Sequence, residues 1–140
     1  LLLAGSPALA KRWGADGVHL RQPLAARAGQ ARRLGLIVTM PVHDRREAHR
    51  ARRAKADAAF ISPLHRTRSH AGTPPLGRAA WLRLARISDA QPVALGGMTT
   101  ARARQLKRAS GLNPGWAAID AWEEKAAKRR RKAVPRFGSG

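Results

Sequence analysis

Two adjacent glycines, Gly96 and Gly97, give the strongest local signal for chemistry in this 140-residue chain. They follow an apolar stretch at residues 93–95, typical of a buried strand, and precede Thr99 and Thr100, either of which can cap a helix. Because glycine has no side chain, its amide can approach an anion closely at the positive end of that helix. The pattern favours a phosphate-binding turn, and an ordinary tight turn is the alternative.

A loop over residues 62–77 carries further reactive side chains. Loops longer than about 12 residues in a compact domain are usually functional or disordered. Its candidates are the histidines His65 and His70 and the hydroxyl residues Thr67 and Ser69, for which ordinary loop polarity is the alternative reading. The sequence has no cysteine, so a disulfide, a thiolate metal site and a cysteine nucleophile are excluded.

Short apolar runs alternate with Ala/Arg-rich helical segments, a pattern typical of βα units in a parallel sheet. We expect strands at residues 1–4, 17–20, 36–39, 58–61, 92–95 and 117–119, and we expect them to be covered on both faces. Asp44 and Glu47 have capping-box spacing, which predicts a helix to about residue 56. A second helix is predicted over residues 78–87, with Trp81, Leu84 and Ile87 on one face.

The formal net charge is +20, which favours a polyanion partner such as nucleic acid. Most of the cations are arginines interleaved with alanine, as on solvated helix faces, and aromatic residues make up only 4% of the chain. A platform for single-stranded nucleic acid would contain more aromatic residues. We therefore keep nonspecific polyanion binding as the alternative function. No apolar run approaches the roughly 20 residues that a membrane-spanning helix needs.

Five motifs, in order, resemble thiamine phosphate synthases and the related TenI proteins. They are Asp16-Gly17-Val18-His19-Leu20-Arg21-Gln22, Val42-His43-Asp44 with Glu47-Ala48, the loop from Ser62-Pro63-Leu64 to Pro74-Pro75 and Gly77, Ala94-Leu95-Gly96-Gly97-Met98-Thr99, and Gly115 to Ala121. The resemblance implies a (β/α)₈ TIM-type barrel that lacks its first two βα units, because residue 1 falls in strand three. Six units would not close a barrel unaided, which leaves dimerisation, rearrangement or a longer coding region as explanations.

The resemblance also implies the roles of individual residues. It places phosphate binding at Gly96, Gly97, Thr67, Ser69 and His70, where His70 stands in the place of the family's lysine. A second set, Gln22, His43 and Asp120, would line the ligand rim at the strand C-termini. The TenI catalytic histidine aligns with Pro63, so His65, two residues away, and His70 are the candidates for acid–base chemistry. His19 is expected to be a hydrogen-bonded interior histidine or, alternatively, a rim residue.

Several family positions are altered. Synthases of this type use Mg²⁺, and hard cations bind to carboxylates. The positions of the two metal-binding aspartates hold Ala4-Gly5 and Pro23-Leu24, so no metal site and no cofactor are expected. Asp120 stands where the family has a phosphate-binding serine, and its charge would repel phosphate. Synthase activity is therefore not expected from these residues, although tautomerase-like activity remains open.

The sequence thus predicts a thiamine phosphate synthase/TenI-like domain over residues 1–122 and a basic tail over residues 123–140 that contains the run Lys128 to Lys132. We expect this domain to bind a phosphorylated pyrimidine or thiazole in the cytoplasm and not to associate with a membrane. Assembly into a homo-oligomer is left open.

Overall fold

The computed structural model describes residues 1–68 and 71–118. Its strands are β1 (Leu2–Ala4), β2 (Gly17–His19), β3 (Ile37–Val42), β4 (Ala58–Ile61), β5 (Gln91–Ala94) and β6 (Gly115–Trp116). Its helices are α1 (Pro7–Arg12), a 3₁₀ helix (Gln22–Arg27), α2 (Ala28–Arg33), α3 (Arg45–Arg53), α4 (Gly77–Ser88) and α5 (Thr100–Ser110). Ser69, His70, Asp120 and the basic tail lie outside the described residues.

The six strands form one sheet in the order β1-β2-β3-β4-β5-β6, and every neighbouring pair is parallel. Sequential parallel strands require each connection to cross back over the sheet, and helices make these crossings. The predicted α/β class with alternating strands and helices is confirmed. Because all strands run the same way, their C-terminal ends lie at one edge, where the candidate site residues follow them.

The two faces of the sheet differ in burial. On one face, Val18, Val38, Met40, Ala59 and Ile61 are fully buried. On the other face, the side chains of Leu2 and Ile37 are 42% and 47% exposed. The prediction that the strands are covered on both faces is wrong for these positions. The cause is the open sheet: in the described part of the chain β1 and β6 do not pair with each other, so the strands do not enclose this face.

Small residues pack the helices onto the buried face of the sheet. In α3 the alanines Ala48 and Ala51 are fully buried, whereas Arg45, Arg46 and Arg52 are exposed. The Ala/Arg alternation therefore produces an amphipathic helix in which alanine permits close approach and arginine remains in water. Within the described residues no helix is long and apolar enough to cross a membrane.

The predicted starts of the helices agree with the structure better than the predicted ends of the helices and strands do. Asp44 caps α3 by accepting a hydrogen bond from the Glu47 amide at 2.9 Å, as predicted. The helix ends at Arg53 rather than near residue 56, because Lys55 has a φ of 50° and turns the chain toward β4. The last described strand is Gly115–Trp116, which begins two residues before the predicted strand at residues 117–119. Of that predicted strand, residue 119 lies outside the described residues, and the Ala117 amide donates to Ala94 O at 3.1 Å.

Candidate functional site

The loop after β4 lies directly against the turn after β5. The Leu64 amide donates to the Leu95 carbonyl at 2.8 Å, and the His65 amide donates to the Gly96 carbonyl at 3.1 Å. These bonds extend the pairing of the two strands beyond their C-terminal ends. They bring together the two segments that the sequence singled out, the long loop and the Gly-Gly turn.

Both glycines of the turn are sterically required. Gly96 has a φ of +93°, and a Cβ there would lie 2.8 Å from Cα of Pro63. Gly97 has a φ of +60°, and its Cβ would lie 2.5 Å from the carbonyl oxygen of Arg66. Contacts this short do not occur with a real side chain, and positive φ adds strain. Packing against the loop therefore accounts for both glycines, as expected for a tight turn.

The two backbone amides of this turn lie close to the start of a helix. None of the described residues accepts a hydrogen bond from the amide of Gly96 or of Gly97. The two amides come just before α5, whose N-cap is Thr99 and whose first turn contains no acidic residue. The N-terminus of a helix carries a partial positive charge, which favours an anion at this position. A tight turn and an anion cradle are thus compatible at Gly96-Gly97.

Arg102 adds a full positive charge to this turn. Its amide donates to the Thr99 hydroxyl oxygen at 3.2 Å, and its guanidinium folds back to donate to the Gly97 carbonyl. The sequence did not predict this residue as part of the site. The available signal was an arginine in the first turn of a helix, where a cation is unfavourable unless a negative group lies nearby.

His65 is the candidate histidine that the structure places beside the turn. It is half-buried, and a Cβ on Gly97 would lie 3.0 Å from the His65 Cβ. Burial and, secondarily, the positive charge of Arg102 lower the pKa of His65 below its usual value. The neutral imidazole is therefore favoured near pH 7, so it can accept a proton or a hydrogen bond. Thr67 lies two residues further along the same loop and is partly exposed.

The predicted rim residues Gln22 and His43 lie elsewhere, after β2 and β3. Gln22 Nε2 donates to the Pro41 carbonyl at 2.5 Å, and Gln22 Oε1 accepts from Arg50 at 2.9 Å. His43 is exposed and pairs through Nδ1 with Glu47 at 2.8 Å. The same Glu47 carboxylate accepts from the His43 amide. These bonds tie the strand ends to α3, and the structure does not join either residue to the Gly-Gly turn.

The described residues do not fit the magnesium ion that the sequence resemblance implies. Ala4 ends β1 and Pro23 lies in the 3₁₀ helix, and neither side chain has an oxygen atom. Within residues 1–68 and 71–118 no group of three or more histidine, aspartate or glutamate residues could hold a metal ion. A pyrophosphate leaving group bound here would lack carboxylate-held magnesium to neutralise it.

Several solved structures superpose on this chain with TM-scores above 0.6. A thiamine phosphate pyrophosphorylase from Pyrococcus furiosus superposes with a TM-score of 0.68 at 21% identity, covering 94% of this chain and 65% of that one. The tryptophan synthase α-subunit from Pyrococcus furiosus superposes with a TM-score of 0.63 at 15% identity, covering 84% of this chain and 55% of that one. A nitroalkane oxidase from Streptomyces ansochromogenes superposes with a TM-score of 0.61 at 17% identity, covering 80% of this chain and 35% of that one. Identities this low establish the fold alone, and this chain spans less than two thirds of each of those proteins.

These likenesses define the class as a parallel α/β protein similar to TIM-barrel enzymes. The family model of thiamine monophosphate synthase, TMP-TENI, matches residues 1–121. The chain therefore belongs to the thiamine monophosphate synthase/TenI family, and the resemblance drawn from its motifs is confirmed. None of the curated proteins compared with the chain matches its sequence.

Proposed function

We propose that the chain binds a phosphorylated thiazole or pyrimidine of thiamine biosynthesis at the turn between β5 and α5. One observation carries this proposal. The turn combines two backbone amides without a described acceptor, the N-terminus of α5 and the guanidinium of Arg102. Backbone donors at a helix N-terminus together with an arginine suit a phosphate oxyanion, for which charge-assisted hydrogen bonds are the strongest available contacts.

Each group of the turn has a distinct part in this proposal. Gly96 and Gly97 donate from the main chain, and Arg102 neutralises part of the phosphate charge. In this proposal His65, which lies beside Gly97 and whose pKa is lowered, exchanges a proton with the ring of the bound ligand, as tautomerisation requires. Thr67, Ser69 and His70 are proposed to complete the phosphate contacts. Magnesium-dependent synthesis is not part of the proposal, because the carboxylates for it are missing from Ala4-Gly5 and Pro23-Leu24.

Calorimetric titration with thiazole phosphate and with the unphosphorylated thiazole alcohol tests the proposal. The phosphorylated compound should bind measurably, and the alcohol should bind at least about tenfold more weakly, since charge-assisted bonds contribute roughly 1.5–3 kcal/mol. Thiamine phosphate and a pyrimidine phosphate identify which ring is preferred. No heat with any phosphorylated compound, from a sample whose circular dichroism shows a folded protein, contradicts the proposal.

Two arginine variants separate the site from general charge. Arg102→Gln should weaken thiazole phosphate by about tenfold, because it removes one charged donor. Arg104→Gln changes the net charge equally at an exposed position of α5 and should leave the affinity nearly unchanged. If the two variants have the same effect, the phosphate does not bind at the turn.

A further inference from the structure

A basic cleft lies between α3 and the segment made of the 3₁₀ helix and α2. Its volume is about 470 Å³, and the residues that line it include Arg32, Arg50 and Arg53 but no aspartate or glutamate. It is formed by helices on the outside of the sheet, and Gly96 and Gly97 are not among its lining residues. The cleft is therefore separate from the phosphate site proposed above.

Two of its three arginines are held in position by hydrogen bonds to uncharged groups. Arg50 donates to Gln22 Oε1 at 2.9 Å, and Gln22 is itself anchored to the Pro41 carbonyl. Arg32 donates across the cleft to the carbonyls of Ala54 and Lys55. No carboxylate in the described part of the chain pairs with any of the three arginines. Three like charges thus line one cleft without a counter-charge, which favours binding of an anion.

The rest of the lining indicates which kind of anion fits. Apart from Gln22, Pro23 and Gly29, the other lining residues are alanines, so the cleft offers no aromatic ring for stacking and few groups that could read a base or a small ring. The basic surface continues along α3, where the exposed Arg46 lies one helical turn before Arg50 on the same side of the helix. A single small phosphate would use the cleft but not this extension, whereas a chain of phosphates would use both.

We propose that this cleft binds the phosphodiester backbone of a nucleic acid, with Arg32, Arg50 and Arg53 contacting phosphates. Binding of this kind is independent of base sequence, because phosphates carry no sequence information. It is also salt-dependent, because each neutralised phosphate releases condensed counterions.

Fluorescence anisotropy with a labelled double-stranded DNA of mixed sequence, titrated over a range of salt concentrations, tests the proposal. The double variant Arg50→Gln/Arg53→Gln should weaken binding about tenfold or more at low salt. It should also make the slope of log affinity against log salt shallower by about 1.8, since each phosphate contact contributes about 0.9. Arg53→Gln alone should give about half of that change in slope. Among the described residues the side chain of Arg53 makes no hydrogen bond or ion pair, so this substitution removes a charge without removing a structural contact.

The matched control is the double variant Arg83→Gln/Arg108→Gln, which lowers the net charge equally at exposed positions of α4 and α5. It retains the basic tail, as the cleft variant does, so the tail cannot account for a difference between them. Equal weakening in the two doubles overturns the proposal, as does the absence of DNA binding at low salt. The proposal is also overturned if inorganic pyrophosphate binds in a manner that depends on Arg53 while DNA does not bind, because the cleft would then hold a small anion only. Thermal melts confirm that every variant is folded.

Discussion

The imidazole Nδ1 of His19 lies 2.8 Å from the hydroxyl oxygen of Thr39, at paired positions of the neighbouring strands β2 and β3. The His19 ring also meets Phe60 of β4 edge to face, with ring centroids 5.4 Å apart. Thr39 is almost fully buried and His19 is half-buried. The hydrogen bond predicted for His19 is therefore confirmed, and its ring is half-buried at the C-terminal end of β2.

This environment predicts a loss of stability in mild acid. Burial and, secondarily, the charge of Arg21 lower the pKa of His19, and His65 is shifted in the same direction. A lowered folded-state pKa means that the unfolded chain takes up the proton first, so the stabilisation is present above about pH 6.5 and is lost as pH falls through the folded-state pKa. The melting temperature should drop between about pH 7.5 and pH 5.5, a window above the ordinary carboxylate pKa values.

Two variants isolate the contribution of His19. His19→Gln should shrink the drop in melting temperature, because it removes one of the two shifted groups. Thr39→Val keeps the histidine buried and should retain most of the drop while lowering stability at both pH values, because it removes the hydrogen-bond partner. A drop in His19→Gln as large as that of the parent protein would contradict the assignment.

Gly97 should tolerate a methyl group less well than Gly111. Both have a positive φ, +60° and +64°, but a Cβ at Gly111 meets nothing within 4 Å, whereas at Gly97 it meets Arg66 O at 2.5 Å. Gly111→Ala should therefore lower the free energy of unfolding only by the cost of a left-handed backbone at alanine, about 1–2 kcal/mol. Gly97→Ala should lower the free energy of unfolding by about 2–4 kcal/mol, because steric overlap with the loop is added to that cost. Urea unfolding followed by circular dichroism measures both, and equal losses would mean that the loop after β4 moves away freely.

The sequence predicted those features that depend on local patterns. Asp44 and Thr99 cap their helices as expected, and β4 has the predicted bounds, because capping and apolar runs are short-range signals. Arg102 was missed because its contact with Gly97 depends on side-chain direction, which spacing does not specify. The exposure of Ile37 was missed because it depends on how many strands surround the sheet face, a property of the whole assembly rather than of β3.

The structure brings together some of the residues that the sequence grouped at the candidate site. The sequence identified Gly96, Gly97 and His65, and the structure brings these three residues together through strand pairing. Gln22 and His43, which the sequence grouped with the ligand rim, follow β2 and β3 at the same edge of the sheet, and their side chains bond to Arg50 and Glu47. Position at a strand end places a residue on the correct edge of the sheet, but it does not determine whether the side chain is already engaged.

Trp81 should contribute more to stability than any exposed tryptophan. It is fully buried in α4, and its Nε1 donates to the Ile61 carbonyl at 3.3 Å. Trp81→Ala should cost about 3–5 kcal/mol through cavity formation, a large part of the stability of a typical domain. Trp13→Ala removes a side chain that is 68% exposed and should change stability by about 0.5 kcal/mol or less. Chemical denaturation measures the free energy of unfolding of both variants, and similar decreases would show that Trp81 is not part of the core.

Asp89 is a position where a substitution should stabilise the protein. It follows α4 with a φ of 50°, and its carboxylate lies at the negative end of the helix. Asp89→Gly should raise the free energy of unfolding by about 0.5–1 kcal/mol, because glycine adopts the left-handed conformation without strain and the unfavourable charge is removed. The net gain is reduced by the greater freedom of glycine in the unfolded chain. Asp89→Asn removes the charge alone and should give only about 0.3 kcal/mol. If thermal denaturation ranks Asp89→Asn above Asp89→Gly, the charge rather than the backbone conformation limits stability at this helix end.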